Sequence, residues 1–331
     1  MRRSWYERHP QAQRSLDHPV ISVGNLSVGG SGKTPIVATL VRLLLAMGHR
    51  PAILSRGYAR RHTVDGVVVV HDGERVLVPV EHSGDEPQML ARALPGVPVL
   101  VCPDRHLAGR CAERKFGCTM MLLDDGFQHL SLGREVDLLV MPASDLDEGV
   151  LPSGRLREPL DAASSADGIL VPGSDDDVAR VSAAFDRMPV FRVSSQYRPL
   201  RMIAGASTDA PLQHGRGVSS DLPAKAPDDA APAGTRVVAV AGIARPARFF
   251  DALRAQGHDV RRELSFPDHH WYTTSDLERI GTLFRASGAD LVVTTEKDAV
   301  RLPEGTGWAV LPMTATVEPA DRFVSWLRDR L

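Results

Sequence analysis

The segment Ser27-Val28-Gly29-Gly30-Ser31-Gly32-Lys33-Thr34 has the residue types of a phosphate-binding loop. In such a loop backbone N–H groups cradle phosphates, a lysine reaches the terminal ones and a hydroxyl meets Mg²⁺. Lys33 supplies the cation, Thr34 the hydroxyl, and Gly29, Gly30, Ser31 and Gly32 the cradle. The first position of the pattern usually holds glycine, and here it holds Ser27. A second cluster is Met120-Met121-Leu122-Leu123-Asp124-Asp125-Gly126-Phe127-Gln128-His129. Acids ending an apolar strand hold Mg²⁺ in P-loop enzymes, directly or through water, although Asp-Asp-Gly alone is also turn chemistry. The third is Ser83-Gly84-Asp85-Glu86-Pro87. Its carboxylates either satisfy a helix start or do work, one orienting an acceptor hydroxyl and the other helping to hold the metal.

Phe266-Pro267-Asp268-His269-His270-Trp271 allows two readings as well. Adjacent histidines point apart and the cysteines lie far away in sequence, so a His–carboxylate pair tuning a base fits better than zinc. A polar loop capping a helix at Thr274 or Ser275 fits equally. Arg105 follows an apolar run, and Arg155 and Arg157 lie in a Pro/Gly-rich loop suited to phosphate contacts. Thr295-Glu296-Lys297-Asp298-Ala299 closes the set, lining a cleft between domains or starting a helix.

These groups need elements to hold them. Continuous apolar runs at Val20–Val23, Pro51–Ser55, Val67–Val70, Val97–Cys102, Thr119–Leu123, Val136–Met141, Gly168–Val171 and Val190–Val193 read as buried strands. Helical patterns fall between many of them, including Ile36–Leu45, Glu86–Leu94, Arg105–Phe116 and Asp176–Arg187. The alternation predicts an α/β fold with a doubly wound, mostly parallel sheet of P-loop type. Ligands of such sheets bind beyond the carboxyl ends of the strands, where the glycine-rich loop sits. From 201 to 235 the composition turns to Pro, Ala and Asp without periodicity, a linker or mobile loop. The expected organisation is therefore 1–200 for nucleotide binding, 201–235 as linker and 236–331 as a smaller α/β domain, with a cleft between the two.

Length and charge set the bounds. A chain of 331 residues exceeds the usual single core, and a net charge of -2 excludes the basic excess of a nucleic-acid binder. Three cysteines without paired spacing fit a reducing, cytoplasmic compartment. No apolar stretch is long enough to span a bilayer. Arg2, Arg3, Arg8 and Arg14 surround Trp5 and Tyr6, a composition suited to a membrane surface. On residues alone a frayed polar terminus explains it better.

Taken together the motifs resemble the tetraacyldisaccharide 4'-kinases, which phosphorylate a lipid A precursor. The resemblance rests on Val23–Pro35, Ser55-Arg56-Gly57-Tyr58, Gly84–Pro87 and Asp124–His129. It continues through Arg157-Glu158-Pro159, Ala241–Pro246, Asp268-His269-His270 and Thr295–Ala299, in order from Val20 to Arg301. Ser27 at the head of the loop is also what this family looks like. The resemblance implies transfer of the ATP γ-phosphate to the 4'-hydroxyl of a tetraacyldisaccharide 1-phosphate, with Mg²⁺. Lys33 would hold the β- and γ-phosphates, Thr34 with Glu86, Asp124 and Asp125 the metal, and Arg105 and Arg157 would steady phosphates. Asp85 would orient or deprotonate the hydroxyl with His269 tuning it, and Glu158 would sit near a hinge. The implied place is the cytoplasmic face of the inner membrane, held peripherally, with no nucleic acid and no obligate protein partner. The family's hydrophobic segment before the P-loop is shortened here, so strong anchorage is not expected. Rival readings are a P-loop kinase or ligase of a soluble metabolite, and a nucleotide-dependent switch ATPase, which would need no base such as Asp85.

Overall fold

The computed structural model describes residues 2–30, 32–203, 231–303 and 305–331. Ser31 and most of the expected linker lie outside the described residues. Contacts divide the chain into two units, Met1–Gln196 with Thr314–Leu331, and Tyr197–Met313.

The first unit is built on β1 (Val20–Gly24), β2 (Pro51–Ser55), β3 (Val68–His71), β4 (Val99–Val101), β5 (Met120–Asp124), β6 (Val136–Val140), β7 (Gly168–Pro172) and β8 (Val190–Tyr197). Between them run α1 (Arg2–Arg8), α2 (Lys33–Ala46), α3 (Val80–Ser83), α4 (Asp85–Ala93), α5 (Arg105–Phe116) and α6 (Asp175–Ala184). The second unit adds β9 (Arg201–Met202), β10 (Arg236–Ala241), β11 (Asp259–Ser265), β12 (Leu291–Thr295) and β13 (Ala309–Leu311), with α7 (Pro246–Ala255), α8 (Thr274–Ser287) and α9 (Glu296–Ala299). The chain then returns to the first unit through β14 (Met313–Glu318) and α10 (Ala320–Arg328).

The large sheet has nine strands in the order β14-β8-β7-β6-β1-β5-β2-β4-β3. Side-chain alternation decides which helix covers which face. Ile21, Val23, Met120, Leu122, Leu138 and Val140 face α2, α4 and α10. Val20, Ala52, Leu54, Met121 and Leu123 face α5, and Leu139, Met141, Ile169 and Val171 pack with Val181 of α6. Every strand of this centre is buried on both faces, which is why it reads as a continuous apolar run. β3 departs from that rule, pairing antiparallel with β4 at one edge.

The small sheet, β11-β10-β12-β13-β9, is covered by α7 on one face and α8 on the other. Its edge strand β11 escapes a reading by hydropathy, because Asp259, Arg261, Arg262 and Glu263 all point to solvent. The smaller domain expected over 236–331 ends earlier than its sequence implies. Phe323 and Leu327 of α10 insert beside Phe191 in the core of the first unit.

The first residues are not frayed. Arg14 forms a bridge with Leu132 and pairs through both guanidinium nitrogens with Asp104, at 2.9 and 2.6 Å. Leu16 fills the space over Gly109, where an added Cβ would stand 2.3 Å from its Cδ1. Residues without a strong apolar pattern are therefore tied down by specific backbone and charge contacts, which composition does not show.

Candidate phosphoryl-transfer site

Register brings the glycine-rich loop to the acidic cluster. β1 pairs in parallel with β5 so that Val23 stands opposite Asp124, and the Gly126 N–H donates to Val23 O at 3.0 Å. The approach needs glycine, since a Cβ on Gly24 would lie 2.4 Å from Phe127 Cβ. After the loop, Gly32 adopts φ +76° and α2 starts at Lys33. N–H groups at a helix start lack partners within the helix and favour an anion. Thr34 is half-buried in the same turn, and Gly29, with φ +98°, and Gly30 precede it.

Ser27 has its own use. Its hydroxyl donates to Asp145 Oδ2 at 2.9 Å, and its carbonyl accepts from Asn25 Nδ2 at 2.6 Å. The outer side of the loop is braced by the 155–157 segment. Val28 N–H donates to Arg155 O at 2.8 Å, Arg155 Nη2 donates to Val28 O at 2.7 Å, and Arg157 N–H donates to Leu26 O at 2.7 Å. Asn25, Asp145 and Arg155 are supporting residues that the motif alone did not select. Arg155 was legible only as a loop charge.

Lys33 Nζ donates to Asn25 Oδ1 at 2.9 Å and stands 3.3 Å from Asp125 Oδ1. The other oxygen of Asp125 accepts from Arg157 Nη1 at 3.1 Å. Burial alone would raise the Asp125 pKa, but these two cations hold it below the usual carboxylate range. Asp125 also has φ +57°, a left-handed backbone uncommon outside glycine and tolerated best by Asp and Asn. Asp124 is the opposite case. Fully buried, and close to Glu86 and Asp125, its carboxyl is pushed up to about 7 despite Lys33 and Arg105 nearby. Burial beside Arg56 lowers Arg105 to about 10.

The structure thus gathers Lys33, Glu86, Arg105, Asp124, Asp125 and Arg157 in one charged centre of the first unit. Asp85 opens α4, immediately before Glu86, and is 2% exposed. Gly84 ahead of it takes φ +84°, with its Cα so close to Tyr58 O that a Cβ would lie 2.6 Å away.

Hard oxygen donors suit Mg²⁺ rather than softer metals. Thr34, Glu86, Asp124 and Asp125 supply that donor type, and Asp125 Oδ1 is buried with the Lys33 ammonium 3.3 Å away as its one close neighbour among the described contacts. Among the described residues no three His, Cys, Asp or Glu side chains form a complete metal cage. The donor set fits a metal that takes part of its shell from phosphate and water.

His269 lies in the second unit and takes φ +61°. Its N–H donates to Gly242 O at 3.2 Å and to Asp268 Oδ1 at 3.0 Å. Lys297 Nζ is 3.3 Å from His269 Nε2 and donates to Asp268 Oδ1 at 2.9 Å, while Arg301 Nη2 is 3.5 Å from Nδ1. A neutral imidazole accepts at only one nitrogen, so one of these cations is a hydrogen-bond donor and the other a close neighbour. Beneath them Asp298, raised by burial, accepts from Gly242 N–H at 3.0 Å and from the Thr295 hydroxyl at 2.6 Å. His270 is spent on α8, with Nε2 3.0 Å from Asp276 Oδ2. The capping alternative for this loop thus describes His270, while His269 keeps a separate environment.

The full length, residues 1–331, matches the family model described as tetraacyldisaccharide-1-P 4'-kinase. A tetraacyldisaccharide 4'-kinase of Geobacter metallireducens is 40% identical over 292 residues, spanning 87% of this chain and 80% of that protein. A second, from Pelobacter propionicus, is 40% identical over 296 residues, spanning 87% and 75%. The crystal structure of LpxK from Aquifex aeolicus in complex with ATP superposes with a TM-score of 0.78 at 30% identity, covering 99% of this chain and 93% of that one.

Proposed function

The chain belongs to the tetraacyldisaccharide-1-P 4'-kinase family, and on that premise we propose how its residues divide the reaction. The activity is ATP- and Mg²⁺-dependent phosphorylation of the 4'-hydroxyl of a tetraacyldisaccharide 1-phosphate, a step of lipid A biosynthesis. The observation that carries the division of roles is the charged centre around Asp125, where Lys33 and Arg157 each meet one carboxylate oxygen.

A phosphoryl transition state asks for positioning and charge neutralisation more than covalent help. Backbone N–H groups of the glycine-rich loop would cradle the phosphates, and Lys33 would hold the β- and γ-phosphates. Thr34, Glu86, Asp124 and Asp125 would hold Mg²⁺, which would supply neutralisation of phosphate charge. Arg105 and Arg157 steady the phosphate oxygens. Asp85 takes the proton of the 4'-hydroxyl as that oxygen bonds to the γ-phosphorus, and the bridging oxygen leaves with ADP. His269 would tune the base, as the resemblance to the family implies. The soluble-metabolite and switch readings fall away, because both lack a lipid acceptor and the family has one.

Attachment to the inner membrane from the cytoplasmic side is the remaining part of the proposal. No helix among the described residues is long and apolar enough to cross a membrane. Trp5 is 44% exposed on the docked N-terminal segment, where a ring suits the headgroup level. Labelled ATP, Mg²⁺ and the disaccharide 1-phosphate test the chemistry. Wild-type protein transfers label to lipid, and Asp85→Asn lowers kcat by about 10²–10⁴-fold. Full activity in Asp85→Asn removes the base assignment while leaving the kinase intact. Pelleting with anionic vesicles, with and without Trp5→Ser, tests the membrane part.

A further inference from the structure

Behind Asp125 the chain turns through Gly126 and Phe127, and two guanidinium groups hold the carbonyls of that turn. Arg134 Nη1 donates to Gly126 O at 2.9 Å and to Phe127 O at 3.4 Å. Its other nitrogen pairs with Asp137 at 3.3 Å, both side chains 8% exposed. Arg3 of α1 approaches from the other side. Its Nη2 donates to Phe127 O at 3.2 Å, and its guanidinium lies 4.3 Å from the Phe127 ring centroid. The same group donates to both oxygens of Glu158, through Nε at 3.1 Å and Nη2 at 3.5 Å. Glu158 directly follows Arg157, whose guanidinium meets Asp125.

One side chain therefore ties the loop carrying the acid to the loop carrying its cation. We infer that Arg3 is a positioning residue for the Asp125–Arg157 pair, so that the seating of α1 is linked to binding of Mg²⁺-ATP. The inference rests on the reading of Asp125 as a metal-holding acid. A non-glycine residue in left-handed conformation persists where its surroundings over-determine it. Arg134 keeps the turn in place from within the core. Arg3 adds what Arg134 cannot reach, the link to Glu158 across the two loops. Planar bidentate geometry makes arginine, not lysine, the residue for that link. Losing Arg3 leaves the Phe127 carbonyl its second donor, so the fold stands while the spacing of Asp125 and Arg157 relaxes.

The test titrates a fluorescent ATP analogue into the full chain with and without Mg²⁺, alongside steady-state kinetics. Arg3→Met weakens binding in Mg²⁺ by roughly tenfold, as outer-shell partners of metal sites do, and changes metal-free binding by less than about twofold. KM for ATP rises accordingly, with KM for the lipid unchanged. Arg3→Lys recovers only part of the loss, and the Glu158→Gln effect is not additive with Arg3→Met. Arg8→Ala, whose guanidinium donates to Ser4 O on its own helix, leaves both affinities at the wild-type level. Should Arg3→Met not fold, Arg3→Lys and Glu158→Gln carry the same readout. Unchanged Mg²⁺-nucleotide affinity in Arg3→Met, when Asp125→Asn has weakened it, overturns the inference alone. Equal losses with and without Mg²⁺, or a loss confined to the lipid KM, overturn it too. An Asp125→Asn variant with unaltered Mg²⁺ dependence removes the reading beneath it.

Discussion

Asp125 and His269 are both non-glycine residues in left-handed conformation, one in each unit, and they are held by different means. Asp125 is fixed through its side chain, between Lys33 at 3.3 Å and Arg157 at 3.1 Å. His269 is fixed first through its backbone N–H, which Gly242 O and Asp268 Oδ1 accept. In the first unit charge therefore holds the geometry, and changing the charge changes both position and electrostatics. In the second a buried anchor, Asp298 under Gly242, holds the loop, and the imidazole can be exchanged with less disturbance. The lesson is that strain at a functional residue does not reveal what opposes it. Only the partners do.

The sharpest way to break this contrast is Asp125→Asn. Asparagine tolerates the left-handed backbone and keeps the shape, so only the charge is lost. We expect kcat to fall by about 10³-fold, equivalent to about 4 kcal/mol, with a loss of thermal stability by calorimetry because Lys33 and Arg157 lose their shared partner. Thermal stability equal to wild type instead would mean that packing, not charge, holds Asp125. Next comes Asp298→Ala in the second unit. Arg301 is fully buried with its Nη1 3.7 Å from Asp298 Oδ1, and stripping one partner from a buried pair costs about 3 kcal/mol. Urea unfolding reads that loss, and a value under 1 kcal/mol, on the scale of an exposed ion pair, would show that Asp298 is no anchor.

A smaller effect separates side chain from backbone at His269. His269→Asn keeps the conformation and should lower kcat by about 10²-fold. His269→Ala should match that loss and add a stability cost of about 1 kcal/mol for the left-handed backbone. Equal stabilities in the two variants would argue that Gly242 and Asp268 do not impose the geometry. The least effect belongs to the cap of α8. There the Thr273 N–H, then the Thr273 hydroxyl and His270, hold the Asp276 carboxyl down to about 2. Its folded value is depressed below the ordinary 3.8. Its contribution is therefore present above that value and lost as pH falls through it toward 2. Asp276→Ala should cost about 1 kcal/mol at neutral pH, the difference from wild type shrinking below pH 3.8. A constant difference down to pH 2 would remove the carboxylate from that account.

Much of the first unit was legible because buried parallel strands announce themselves. Pro51–Ser55 and Arg105–Phe116 begin and end where the apolar run and the helical pattern imply. The charged centre was legible too, since Lys33, Asp124 and Asp125 sit at strand ends that register must bring together. What stayed hidden depends on contacts far apart in sequence. Nothing local marks Ser27 as a donor to Asp145, or Arg3 as a partner of Glu158, more than a hundred positions away in each case. The membership of β14 and α10 in the first unit is hidden for the same reason. Their short amphipathic pattern is compatible with either core, and only the fit of Phe323 against Phe191 selects one.

The brace on the glycine-rich loop has a consequence for how nucleotide binding is driven. The hydrogen bonds joining Leu26 and Val28 to Arg155 and Arg157 are made between protein groups alone. Conformational freedom is thus surrendered when the chain folds and not again when a phosphate arrives. Amide exchange at Val28 and Arg157 should already be slow in the apoprotein and change little when ATP is added. Association then loses little entropy in the stretch from Leu26 to Val28 at the head of the loop.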